Sequence, residues 1–110
     1  MSGLGRLRHV GTCRVDAGVR APSFRSNSGP FLSVSFGASG FTITVDPAVM
    51  AIALADVFQV TTEGSNNFAT GVVERTAAPP DQVINVRIFD SGGNVRPADF
   101  ILHWYSVAQG

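Results

Sequence analysis

Two stretches near the C-terminus restrict the fold more than any other feature of the chain. In "QVINVRIF" (82–89), Ile84, Val86 and Ile88 alternate with Asn85 and Arg87. In "DFILHWYSV" (99–107), Phe100, Leu102 and Trp104 alternate with Ile101, His103 and Tyr105. A period of two marks an extended strand, because successive Cβ atoms point to opposite faces of a sheet. Neither face of the last strand is clearly polar. It is therefore expected to be central in its sheet, or to meet a neighbouring subunit through Ile101, His103 and Tyr105.

The same pattern recurs upstream. "FLSVSF" (31–36) places Leu32, Val34 and Phe36 on one face, "GASG" turns, and "FTITV" (41–45) places Phe41, Ile43 and Val45 on one face, which together read as a β-hairpin. "VFQVTT" (57–62) reads as a strand, "EGSNN" (63–67) as a turn, and "FATGVVERT" (68–76) as a strand with a glycine at a bulge. "AAPPD" (77–81) breaks the ladder, because consecutive prolines cannot donate to it. Short strands with turn signals about every eight to twelve residues predict an all-β fold, either an antiparallel β-sandwich or a jelly-roll-like small barrel.

Two segments fit the pattern less directly. In "DPAVMAIALAD" (46–56), Asp46 as a cap and Pro47 at the first position would start a short helix over 47–55, which the alanines favour. The alternation of Met50, Ile52 and Leu54 also suits a strand; the helix is the favoured reading. Residues 1–30, rich in Gly, Ser, Arg and Pro, show no sustained periodicity. They are expected to form an extended Arg-rich arm, irregular except for a short strand at His9–Val15, ahead of a β-sandwich domain at 31–110.

Composition narrows the partners. Only 15% of the 110 residues are charged, where about a quarter is usual, and eight Phe and one Trp are generous for this length. Such a chain is expected to bury surface against copies of itself or a larger assembly. The net charge is zero but uneven. Arg6, Arg8, Arg14, Arg20 and Arg25 face only Asp16 in the first 25 residues, and the remainder is acidic. Arginine forks onto carboxylates better than lysine does, so the five arginines are candidate anchors onto a partner protein. A lone aromatic (Phe24) among them and the absence of a second basic stripe argue against nucleic acid. The longest apolar run, Ala48–Ala55, is far below the roughly 20 residues that cross a bilayer, so no membrane partner is expected. No signal peptide is recognisable, and the expectation is a soluble, non-secreted protein.

The most suggestive chemical motif is "FDSGGN" (89–94), whose Asp90-Ser91-Gly92-Gly93 matches the nucleophile surroundings of chymotrypsin-like proteases. A triad needs a base and an orienting carboxylate as well. His103 or His9, with Asp90 or Asp99, would have to supply them. The protease family has about twice this length, a histidine in a "TAAHC"-like setting and a glycine where this chain has Phe89. Asp, Ser, Gly and Asn between two alternating strands are turn residues, and a turn is the expectation. His9, Cys13 and Asp16 are ligand types at short spacing, but three are few for zinc and only His103 could join them. No metal, cofactor, phosphate loop or catalytic residue is expected. Cys13, the single cysteine, excludes an internal disulfide.

The segment "VINVRIFDSGGNVRPADFILHWYSV" (83–107) resembles the closing hairpin of small β-sandwich domains in bacteriophage tail fibres and other virion-surface proteins. There a strand ending in Phe/Tyr-Asp enters a Ser/Gly/Asn turn, followed by an Ala/Pro-Asp-Phe step and a last apolar strand. "GASGFTITV" (37–45) resembles hairpins of the same chains. The resemblance implies a non-enzymatic virion component, commonly a homotrimer, that decorates a capsid or tail or contacts host glycans. Fibre domains end much longer chains, whereas this sequence starts at a methionine, which favours a capsid decoration or cement protein held by its N-terminal arm. The alternative is a carbohydrate-binding, lectin-like module using Trp104 and Asp99, with Tyr105 as a second stacking ring and Asp81 or Asp90 near strand ends.

Overall fold

The structure is a computed structural model, and it describes residues 6–18, 20–38, 40–52, 56–63, 72–76, 82–90 and 92–108. Among the described residues eight strands follow one another: β1 (Arg6–Asp16), β2 (Ser23–Asn27), β3 (Phe31–Gly37), β4 (Gly40–Val45), β5 (Val57–Thr62), β6 (Val72–Thr76), β7 (Gln82–Arg87) and β8 (Phe100–Ala108). They form two four-stranded antiparallel sheets. Sheet A has the order β2-β1-β8-β5 and sheet B the order β3-β4-β7-β6. The expected antiparallel β-sandwich is the fold.

The inner faces are those the alternation picks out. Phe41, Ile43 and Val45 of β4, Ile84 and Val86 of β7 with Ile88 beyond it, and Phe100, Leu102 and Trp104 of β8 are fully or almost fully buried. Trp104 lies at the centre, its ring 6.0 Å from that of Phe31 and 5.4 Å from that of Phe58. Phe100 meets Phe41 edge-on at 4.9 Å, a favoured arrangement for aromatic quadrupoles.

The N-terminal region departs from expectation. The irregular arm is not there over the described residues: β1 is eleven residues long and lies between β2 and β8, so the short strand expected at His9–Val15 is only its middle. Cys13 and Val15 reach the core. Alternation fails to announce this strand because of a bulge. His9 pairs with Tyr105 and Gly11 with Trp104, leaving Val10 as an extra residue. A one-residue insertion reverses the facing of everything after it. His9 thus points outward before the bulge, while Gly11 and Cys13 point inward beyond it. A second bulge, between Phe31 and Ser33, turns Leu32 out to 59% exposure, away from the face it was expected to share with Val34 and Phe36.

The expected helix over 47–55 is absent from its described part. Asp46 does cap a turn: its Oδ1 accepts the Ala48 N–H, and its carbonyl accepts the N–H groups of Val49 and Met50. The turn does not propagate, because the Ile52 N–H is taken by the buried Gln82 Oε1 at 2.8 Å. Residues 53–55 lie outside the described set, as do 64–71 and 77–81, where a turn, part of a strand and a breaker were expected.

"FDSGGN" is a turn, as expected. Phe89 bridges Val95, and the Arg96 N–H donates to the Ile88 carbonyl at 2.7 Å. It does not close a β7–β8 hairpin, however, because β7 belongs to sheet B and β8 to sheet A. The chain crosses between the sheets over Arg96–Asp99. Pro97 has no N–H for a ladder, and Ala98 is buried in the crossing.

Candidate functional site: the outer face of sheet A

Strand register determines which side chains share the outer face of sheet A. On β8 they are Ile101, His103, Tyr105 and Val107. Opposite them lie Arg14, Thr12, His9 and Leu7 of β1, and Thr61, Gln59 and Val57 of β5. The residues expected at a subunit interface, Ile101, His103 and Tyr105, are therefore outward and half-buried.

The face is divided by charge. Towards the start of β8, Arg14 Nη2 meets Glu63 Oε2 at 2.6 Å, and Arg25 Nη2 lies 3.2 Å from Asp16 Oδ2 and 3.8 Å from Asp99 Oδ2. Hydrogen bonding and charge from Glu63 hold the Arg14 guanidinium more firmly protonated than usual. The Gly18 N–H and Arg25 hold the Asp16 carboxyl below the ordinary carboxylate range. Towards the end of β8 the face is apolar: Val57 and Leu7 are 43% and 57% exposed, beside Tyr105 and Val107.

Between these halves lies a polar cluster. His9 Nε2 and His103 Nδ1 both bond to the Thr12 hydroxyl, at 2.6 and 2.9 Å. The Tyr105 ring is 5.5 Å from the His9 ring and 6.3 Å from that of His103, and the two imidazoles are 6.2 Å apart. The bulge at Val10 assembles this group by turning both His9 and Thr12 outward. Their separation of three in sequence would otherwise put them on opposite faces.

The other candidates are dispersed. Of the five arginines expected to anchor a partner, Arg14 and Arg25 are engaged in the ion pairs above, and the Arg6 side chain lies outside the described set. Arg8 and Arg20 are exposed and form no ion pair with described residues. Trp104, named as a glycan contact, is fully buried and donates its indole N–H to Asp56 at 3.0 Å, so it offers no stacking surface. Its partner in that reading, Asp99, fastens strand ends. Its Oδ1 accepts the Ala17 N–H at 2.8 Å, and its carbonyl accepts the Glu63 N–H.

Among the described residues no three of His, Cys, Asp or Glu gather as a metal-ligand set. The sequence trio of His9, Cys13 and Asp16 is separated: Cys13 lies in the core, and burial pushes its thiol up to about 12. Of the protease-like set, Ser91 lies outside the described residues, as does Asp81 of the glycan reading. Asp90 Oδ1 accepts the N–H groups of Gly92 and Asn94, and its Oδ2 accepts Arg96 Nε at 2.7 Å. These bonds hold the Asp90 carboxyl down at about 2. A groove of about 820 Å³ adjoins the cluster at His9 and Val107, with Val10, Phe31 and Met50 among its walls and Arg8 and Asp46 at its sides.

Comparison with protein-family models, with curated proteins and with solved structures finds no match to this chain.

Proposed function

We propose that this chain is a non-enzymatic structural protein of a bacteriophage virion surface, a decoration or tail-fibre-like component that forms homotrimers through the outer face of sheet A. The observation that carries the reading is the division of that face. Its charges are paired with one another at one end, while Leu7, Val57, Tyr105 and Val107 lie together at the other. A contiguous apolar patch rimmed by satisfied polar groups is what a subunit contact requires. Burying a few hundred Å² of it would contribute roughly 25 cal/mol per Å² before association costs. The resemblance of residues 83–107 to virion β-sandwich domains is one of sequence, since here the segment joins the two sheets rather than closing a hairpin, and it supports the same class. Arg8 and Arg20, exposed and without an ion pair to described residues, are cations available to meet carboxylates of the virion.

Sedimentation velocity tests the association. The expected result is a trimer at micromolar concentration, converted to monomer by Val57→Glu or Leu7→Glu with the fold retained by circular dichroism. A wild-type chain that remains monomeric would overturn the reading.

A further inference from the structure

His9 Nε2 and His103 Nδ1 converge on one oxygen, Thr12 Oγ1, from two adjacent strands. A hydroxyl carries a single hydrogen, so it can donate to only one of the two imidazoles, and the other must donate to it. From this convergence we propose that His9 and His103 form a binding site for a late first-row divalent cation, with Cu²⁺ preferred over Ni²⁺ and Zn²⁺. Small side-chain rotations release the hydroxyl, the imidazole that donated to it carries its proton on its other ring nitrogen instead, and both freed nitrogen lone pairs face one ion.

Three features favour the site. First, the rings are positioned: Tyr105 flanks both, and the β1–β8 ladder beneath them, with nine paired positions, is the longest among the described residues. Second, the surroundings are not repulsive. The neighbours on this face include Gln59 opposite His103, Tyr105 and Ile101 along β8, and Leu7 and Val57 beside the His9–Tyr105 pair. Arg14 lies beyond Thr12 with its guanidinium turned onto Glu63, and Arg8, next to His9 in sequence, has the opposite parity on β1. Third, the donor set selects the metal. Two imidazoles suit copper, nickel and zinc, whereas calcium and magnesium require oxygen ligands that this cluster does not gather. Water fills the remaining positions, so the ion exchanges readily. The site borders the patch proposed for the trimer contact and shares Tyr105 with it, so titration of the Val57→Glu variant, expected to be monomeric, separates metal binding from association.

Isothermal titration of tag-free protein with CuCl₂, at a pH where imidazole is neutral, tests the proposal. Saturable binding of one Cu²⁺ per chain is expected, weakened about tenfold or more in both His9→Ala and His103→Ala. Thr12→Ala, which keeps both rings, should still bind. Zn²⁺ should shift the ring-proton NMR signals of both histidines, a readout that survives if a variant is unstable. Absence of saturable binding, equal binding by either histidine variant, or competition by Ca²⁺ would each overturn the proposal.

Discussion

Trp104 donates its indole N–H to Asp56 Oδ2 at 3.0 Å, with neither side chain appreciably exposed. The bond ties the centre of β8 to the segment that enters β5, and it gives the largest core side chain its polar partner. A buried carboxylate is tolerated only when hydrogen-bonded, so the two residues depend on each other.

Asp56→Ala should therefore destabilise the fold by about 1–3 kcal/mol, the cost of an indole N–H left without its acceptor. Asp56→Asn retains an acceptor oxygen and should cost less. Urea denaturation followed by the fluorescence of the single tryptophan measures both; an alanine variant as stable as wild type would refute the dependence.

Two glycines should fail for different reasons. Gly93 has φ +83° with open space around it, so Gly93→Ala meets only backbone strain, about 1 kcal/mol, and Gly93→Asn less. A Cβ on Gly11 would sit 2.5 Å from the Gly29 Cα, and backbone cannot step aside as a side chain can. Gly11→Ala should cost about 1–3 kcal/mol and rank as the more damaging in thermal melts.

Asp90 makes stability fall in acid. Its carboxyl is held at about 2 against an ordinary 3.8, so the charged form stabilises the folded state above pH 3.8. That contribution is lost as the pH falls towards 2. Asp90→Asn should melt below wild type at neutral pH, and the gap should close across this window. A gap that is constant with pH would mean the carboxylate's charge is irrelevant to the turn.

Cys13 predicts the opposite limb. Its thiol is pushed up to about 12 from 9.0 by burial, so the unfolded chain ionises first and stability falls as the pH rises from about 9 to about 12. Cys13→Ala should lessen that alkaline loss. In the native protein the thiol should react slowly with a disulfide reagent and quickly in denaturant; rapid native labelling would contradict the burial.

The inward residues of β4, β7 and β8 were legible because regular strands preserve parity over their whole length. The turn at Asp90–Asn94 was legible because its side chains bond their own backbone, a local event. The helix over 47–55 was misread because the competing bond from Ile52 to Gln82 spans thirty residues. The glycan role given to Trp104 rested on its being an aromatic ring that could stack on a sugar beside strand-end aspartates. Its inward parity, which alternation already implied, was the better guide.

Period-two patterning by itself determined that the chain is all-β and which faces of its later strands form the core, since side-chain alternation is a property of each strand alone. The tertiary structure decided what lies opposite what. The bulge at Val10 moves His9 to the outer face, and pairing of β1 with β8 brings it within reach of His103, 94 residues away in sequence. No local pattern specifies either event, because a bulge is stabilised by the neighbouring strand and the packing beneath it rather than by the residues it displaces.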